Sequence, residues 1–317
     1  MNKSSMKMGE RLKGKGQEII HKIAQLESIC GQDVGRGIQP LVEATRGGLL
    51  KTAHSIAQHP APHVAIMTGF FLPYTNPPAP ETDGPIGCAL LAAGLSRVGI
   101  PVRIITDSLC FRTVKVAVQA AGVTAEIPFD IVPVETTKNQ QAVASLLKLW
   151  ESLETPISHL ISIERPGPSH DGIVRNMRGQ DITAYTAPLH LLFASKNIIT
   201  VGIGDGGNEL GMGKIPQDVI RQHIRHGEKI ACSDYLIVCG VSNWGATGLL
   251  TALSLLRPDW KLAILSGLNS ETEFYILESI VKHGPAVDGI KGVPSLSVDN
   301  LPFEYHAHIM KVATQLI

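Results

Sequence analysis

From about Pro62 onward the chain alternates between short apolar runs and longer stretches with apolar residues at helical spacing. The runs are HVAIMTG (63–69), PVRIITD (101–107), DIVPV (130–134), SHLISI (158–163), NIITVGI (197–203), YLIVC (235–239) and KLAILS (261–266). Most are rich in β-branched residues and all lack polar alternation, the pattern of a strand buried on both faces. Helical patterns fall between and after them, at 85–98, 111–121, 138–152, 186–196, 216–226, 244–256 and 271–283. Regular alternation of this kind predicts an α/β fold: a three-layer α/β/α sandwich on a mainly parallel, Rossmann-like sheet with right-handed crossovers. The segment Tyr235–Leu256 is apolar enough to raise a membrane span. Gly240, Ser242, Asn243 and Gly245 punctuate it, so a strand followed by a helix is the better reading.

Residues 1–61 do not follow the alternation. EIIHKIAQLESI and GLLKTAHSIA have helical spacing and flank a loop-like CGQDVGRGIQP. They predict a helical arm packed on a main body of residues 62–317, with an oligomer contact as the alternative. The tail FEYHAHIMKVATQLI predicts a closing helix, with His306 and His308 at a solvated position. The pair His223 and His226 reads the same way.

Composition narrows the partners. The 317 residues carry 28 Lys+Arg against 28 Asp+Glu, and aromatics are only 5%. Balanced charge disfavours nucleic acid and anionic membranes, and sparse aromatics disfavour single-strand stacking. A small-molecule substrate is expected, an amino acid or other carboxylate. The five cysteines are scattered and odd in number, which fits a reducing compartment; Cys88, Cys110 and Cys239 read as core. The N-terminus has no secretory apolar region, and a cytoplasmic protein is expected.

In parallel sheets ligands collect beyond the carboxyl ends of the strands. The segments there carry Thr68, Glu81, Asp83, Asp107, Glu164, Arg165, Asp205, Asn208, Glu209, Ser242 and Asn243. Two carboxylates 4 Å apart repel by about 4 kcal/mol at an effective dielectric near 20. Several together need a cation, a proton or arginines. A hard divalent ion on oxygen ligands, Mn²⁺ or Mg²⁺, is the simplest compensation, with Glu81, Asp83, Asp205 and Glu209 as ligands. Arg165 is the candidate for gripping a substrate carboxylate, and Glu164 or Asp107 the candidate base. Thr68, Asn208, Ser242 and Asn243 offer neutral hydrogen bonds. The bland alternatives are helix caps for Asp83, Asp205, Ser242 and Asn243, and a surface ion pair for Glu164 and Arg165.

Gly202–Gly207 matches G-x-G-x-x-G after a strand, but Asp205 stands where a pyrophosphate would lie and the loop follows the fifth strand rather than the first. No nucleotide cofactor is favoured. A P-loop, an H-E-x-x-H pair and a G-x-S-x-G elbow are all missing from the sequence.

The segments ETDGPIGCALLAAGL, SIERPGPSHDGIVRNMRG, GIGDGGNELGMGKI, HIRHG and CGVSNWGATGL together resemble the D-glutamate cyclase C-terminal-domain family, over most of residues 60–285. The resemblance implies an α/β/α sandwich, a manganese-associated conversion of D-glutamate to 5-oxo-D-proline with loss of water, and, in animals, a mitochondrial protein with an N-terminal hydro-lyase-like domain. This chain is expected to be a stand-alone form without that domain. A Mg²⁺- or Mn²⁺-dependent phosphatase-like hydrolase and a non-catalytic metabolite-binding protein are the competing expectations.

Overall fold

Six of the seven apolar runs pair into one parallel sheet, and a helical layer covers each of its faces. The computed structural model describes residues 3–123, 126–224 and 231–317. The strands are β1 (Val64–Thr68), β2 (Val102–Asp107), β3 (Phe129–Val132), β4 (His159–Ile163), β5 (Ile199–Gly204) and β6 (Tyr235–Val238). Their spatial order is β3-β2-β1-β4-β5-β6, every neighbouring pair parallel. The order reverses direction between β1 and β4. Such a switch point opens a crevice at the carboxyl ends of the two strands, where ligands bind in this architecture.

Successive residues of a strand face opposite layers. Val64 and Ile66 of β1 join one apolar core while Ala65 and Met67 join another. The larger core packs against α1 (Lys3–Cys30), α3 (Gly48–Gln58), α4 (Pro85–Arg97), α5 (Phe111–Ala120), α8 (Ser242–Leu256), α10 (Ser270–His283) and α11 (Phe303–Thr314). The opposite face is covered by α6 (Thr136–Glu151), by 3₁₀ turns at 183–194, and by α2 (Gln39–Ala44) with α7 (Gln217–His223). Ile23, Leu26 and Cys30 of α1 belong to the larger core. Gly240 holds the loop after α1 against the sheet: a Cβ there would run into the Gln32 carbonyl.

Three expectations need correction. KLAIL forms a short helix, α9 (Lys261–Leu265), not a seventh strand. Only Ile264 is buried there and Leu262 is 82% exposed, so the run meets the core on one side. Residues 186–196 hold a 3₁₀ turn at Leu189–Ala194 entered through Pro188, not an α-helix. His306 is buried and its Nδ1 accepts the Trp244 indole N–H at 3.0 Å, whereas His308 and His223 are exposed. His226 lies outside the described residues.

The stretch Tyr235–Leu256 divides into β6 and α8 as expected, and among the described residues no helix is long and apolar enough to cross a membrane. All five cysteines are free, with Cys30, Cys88, Cys110 and Cys239 buried.

Glu273 of α10 is buried with Oε2 unpartnered, and burial alone pushes its carboxyl up to about 8. Between the ordinary carboxyl range and that value, the folded chain keeps a proton that the unfolded chain has released. The stability this group confers is complete at low pH and is lost as pH rises through 8. Glu273→Gln is therefore expected to raise the melting temperature at pH 9 by about 5 °C and to leave it unchanged at pH 5. Thermal melts at the two pH values check this.

Candidate metal and substrate site

The switch point is built by two helix N-termini that cap each other. The Asp83 carboxylate accepts the backbone N–H groups of Ser242 and Asn243, both at 2.9 Å, at the start of α8. In return Asn243 Oδ1 accepts those of Gly84 and Gly87, at 3.0 and 2.7 Å, at the start of α4. The orphan donors of both first turns are thus satisfied across the sheet edge, and the positive ends of two helices face one carboxylate. Gly84 makes this close approach possible. Its φ is 92°, and a Cβ would lie 2.6 Å from Thr68 Oγ1 and 3.0 Å from Glu164 Cβ. Asp83 therefore caps the neighbouring helix through its side chain, and Asn243 caps the helix that follows Asp83.

Glu164 leaves β4 with a left-handed backbone, φ 44°, which a residue with a Cβ rarely adopts and which is concentrated at functional sites. Its Oε2 accepts the Ser242 hydroxyl at 2.5 Å. Asp205 follows β5. Its Oδ1 pairs with Arg36 at 2.6 Å, and its buried Oδ2 has no hydrogen-bond partner. One oxygen each from Asp83, Glu164 and Asp205 lies within 4.8 Å of the other two, and all three residues are buried. Glu81 stands beside them with a buried, unpartnered Oε1.

Burial and mutual repulsion dominate the electrostatics. Desolvation, followed by neighbouring acids, pushes the carboxyls of Glu81, Glu164 and Asp205 well above the usual range. Asp83 is pushed up to about 7 by burial and by Asp299, although the helix amides oppose the shift. Arg36 bridges Asp205 and Asp299 at 2.6 and 2.7 Å. One guanidinium does not neutralise so many acids, so protons or a further cation must. The donor set is all oxygen, one oxygen from each of three carboxylates converges, and Asp205 keeps a buried Oδ2 without a partner. These residues fit a hard divalent cation such as Mn²⁺ or Mg²⁺.

A cavity of about 270 Å³ opens over the cluster. Its buried end presents Glu81, Glu164, Asp205, Glu209 and Asp299; Phe70 and Leu72 form an apolar wall, and Tyr74, Arg178 and Lys291 stand at the exposed mouth. Phe70 packs with Val174 and Ile182, and the Tyr74 hydroxyl donates to the Asp181 carbonyl at 2.8 Å. The proline-rich loop after β1 and the loop after β4 are thereby joined into one wall.

The other candidates separate into two groups. Asn208 lines the cavity and donates to the Arg175 carbonyl. Glu209 lines it too, but its carboxylate accepts the N–H groups of Gly206 and Gly207, both at 2.7 Å, and organises the glycine loop from within. Those amides are consequently turned to a side chain of their own loop. Thr68, Ser242 and Asn243 sit behind the acids and shape the cluster without lining the cavity.

Arg165 and Asp107 are set apart. Arg165 pairs with Asp107 at 2.6 Å and also donates to the carbonyls of Gly69 and Ala187, with both side chains almost wholly buried. The guanidinium assigned to a substrate carboxylate is engaged inside the protein, and the Asp107 carboxylate assigned as a base is held by it. Arg165 and Glu164 do not form the surface pair considered from sequence either.

Two members of the acidic centre escaped sequence reasoning. Arg36 is aimed by Asp33, whose Oδ1 accepts the backbone N–H groups of Gly35, Arg36 and Gly37. The D-x-G-R-G spacing was the available signal, in a region read only as an arm. Asp299, with φ 55°, lies in the turn of a short antiparallel hairpin, Ser297–Val298 with Leu301–Pro302, whose two-residue strands are too short to show a period in the sequence.

Fold and site together define a doubly wound α/β protein with a carboxylate-lined small-molecule pocket at its topological switch point. The chain belongs to the D-glutamate cyclase-like C-terminal family, whose sequence profile matches residues 26–313. It is 35% identical over 324 residues to the mitochondrial D-glutamate cyclase of Homo sapiens, a match covering 92% of this chain and 51% of that protein. The chain therefore spans about half the length of the curated relative it matches.

Proposed function

We propose that the chain is a metal-dependent D-glutamate cyclase-like lyase that converts D-glutamate to 5-oxo-D-proline and water. Family membership and the relative's activity support the reading. The observation that carries it is the convergence of Asp83, Glu164 and Asp205 beneath a small pocket. These three residues would hold the cation, Mn²⁺ or Mg²⁺, which when bound supplies Lewis-acid polarisation of a carboxyl oxygen.

Glu81 lines the cavity, and its raised pKa makes its ionised form a good proton acceptor. It takes the first proton from the substrate's α-ammonium. The amine lone pair then attacks the side-chain carboxyl carbon, the C–N bond forms and a C–O bond breaks. The two protons lost from nitrogen end on the departing oxygen, which leaves as water. The cavity holds the substrate curled, so proximity supplies much of the rate, while Phe70 and Leu72 keep bulk water from the reacting carbon.

The test is incubation of purified, Mn²⁺-loaded protein with D- and L-glutamate, with 5-oxoproline as the readout. Turnover of the D-enantiomer is expected. Its absence, with hydrolysis of a phosphate-ester panel instead, would transfer the site to phosphoryl chemistry.

A further inference from the structure

The cavity is electrically polarised along its depth. Its buried end holds Glu81, Glu164, Asp205 and Asp299, and the guanidinium of Arg36 is already committed to two of these acids. Its exposed mouth holds Arg178 and Lys291, which come from different loops. Among the described residues no carboxylate lies within ion-pair distance of either. Arg103, Arg165 and Arg175, by contrast, each hold an aspartate at 2.6 Å. Arg178 Nη2 donates only to the Ile290 carbonyl at a long 3.5 Å, and Lys291 Nζ donates to the hydroxyls of Ser297 and Ser295 at 2.9 and 3.3 Å.

Both cations are nevertheless held by their backbones. Asn176 Oδ1 accepts the N–H groups of Arg178 and Gln180, each at 3.0 Å, which fixes the turn bearing Arg178. Asp288 Oδ1 accepts those of Ile290 and Lys291 at 3.0 and 2.9 Å, which fixes the opposite side of the mouth. Two preorganised cations whose direct partners are neutral, with the Ser297 hydroxyl under Lys291 donating onward to Asp288, stand above an acidic floor. An arriving carboxylate would replace those partners with shorter charge-assisted bonds, two-pronged at the guanidinium.

We propose that Arg178 and Lys291 are specificity-determining residues that read the α-carboxylate of the substrate at the pocket mouth. The substrate's ammonium group and its side-chain carboxyl are then directed to the buried acids, where the proposed ring closure takes place. This extends the reading of the cavity as a substrate site and assigns to the rim the role that buried Arg165 does not fill.

Binding of D-aspartate tests the assignment without requiring turnover. It carries the same charged groups as D-glutamate but cannot close a five-membered lactam. Calorimetry on the Mn²⁺-loaded protein would compare D-aspartate with β-alanine, which keeps the ammonium and side-chain carboxylate but lacks the α-carboxylate, for the wild type, Arg178→Gln, Arg178→Lys and Lys291→Gln. The expected result is a preference for D-aspartate of about tenfold or more, lost in Arg178→Gln, reduced in Lys291→Gln and partly kept in Arg178→Lys. Equal D-aspartate affinity in the wild type and both glutamine variants would overturn the assignment, as would a wild type that does not distinguish the two ligands. A rim-dependent preference without any 5-oxoproline from D-glutamate would support the rim and overturn cyclisation alone.

Discussion

Asp205→Asn is expected to weaken Mn²⁺ binding and to lower 5-oxoproline formation, each by at least about a hundredfold, the upper end of what loss of even an outer-shell partner costs a metal site. Asparagine keeps the shape and leaves Arg36 its contact with Asp299, but it removes the negative charge that Asp205 contributes beside Asp83 and Glu164. Circular dichroism and melting in chelator should show a folded protein, so lost uptake reports on the ligand set. In the wild type, protons compete with the cation for these oxygens. Glu164 and Asp205 hold their protons well above the usual range, and Asp83 up to about 7. Cation binding must displace those protons, so affinity should rise steeply as pH increases from 6 to 8. A pH-independent affinity would place the ion elsewhere.

Arg36→Gln is expected to destabilise the cation-free protein by about 3–5 kcal/mol, the usual cost of removing one partner from a buried ion pair. Arg36 is the guanidinium between Asp205 and Asp299, and its side chain is only 14% exposed. Its loss leaves two buried acids facing Glu81, Asp83 and Glu164 with less counter-charge. A divalent cation supplies part of what is missing. Mn²⁺ should therefore raise the melting temperature of Arg36→Gln more than that of the wild type, by mass action on the folded state. Arg36→Lys should recover little, because a compact ammonium cannot span both carboxylates in the forked geometry. Melting curves of the three proteins in chelator and in Mn²⁺ provide the check. Equal melting temperatures in chelator would remove Arg36 from the electrostatics of the site.

The sheet was legible because a strand buried on both faces leaves an unbroken apolar run, and six runs paired in the topology such runs favour. KLAIL misled because a five-residue apolar run has no period long enough to separate a strand from one helical turn. The acids were legible for a topological reason. Residues following parallel strands arrive at one edge whatever their separation in sequence, which brings together Asp83, Glu164 and Asp205 from positions 122 residues apart at the extremes, the difference between 205 and 83.

Their individual partners were not legible. Whether an arginine at a strand end faces the cavity or the interior depends on its rotamer and on carbonyls contributed by other loops. Arg165 turned inward to Asp107, Gly69 and Ala187. Arg36 and Asp299 lie outside the strand–helix alternation, so no periodicity could direct them to the crevice. The reciprocal caps of Asp83 and Asn243 were missed for a related reason: capping was considered only along the chain, while the two helix starts meet in space.

The central claim is that buried carboxylates from three separate connections hold one divalent cation. Its most direct measurement is electron paramagnetic resonance of Mn²⁺ titrated into the purified, chelator-stripped protein, alongside Asp83→Asn, Glu164→Gln and Asp205→Asn. The account predicts saturable uptake of Mn²⁺ by the wild type, with all three variants leaving the ion free in solution at the same concentration. Mn²⁺ that remains free with the wild type, or that binds equally to the wild type and all three variants, would contradict it.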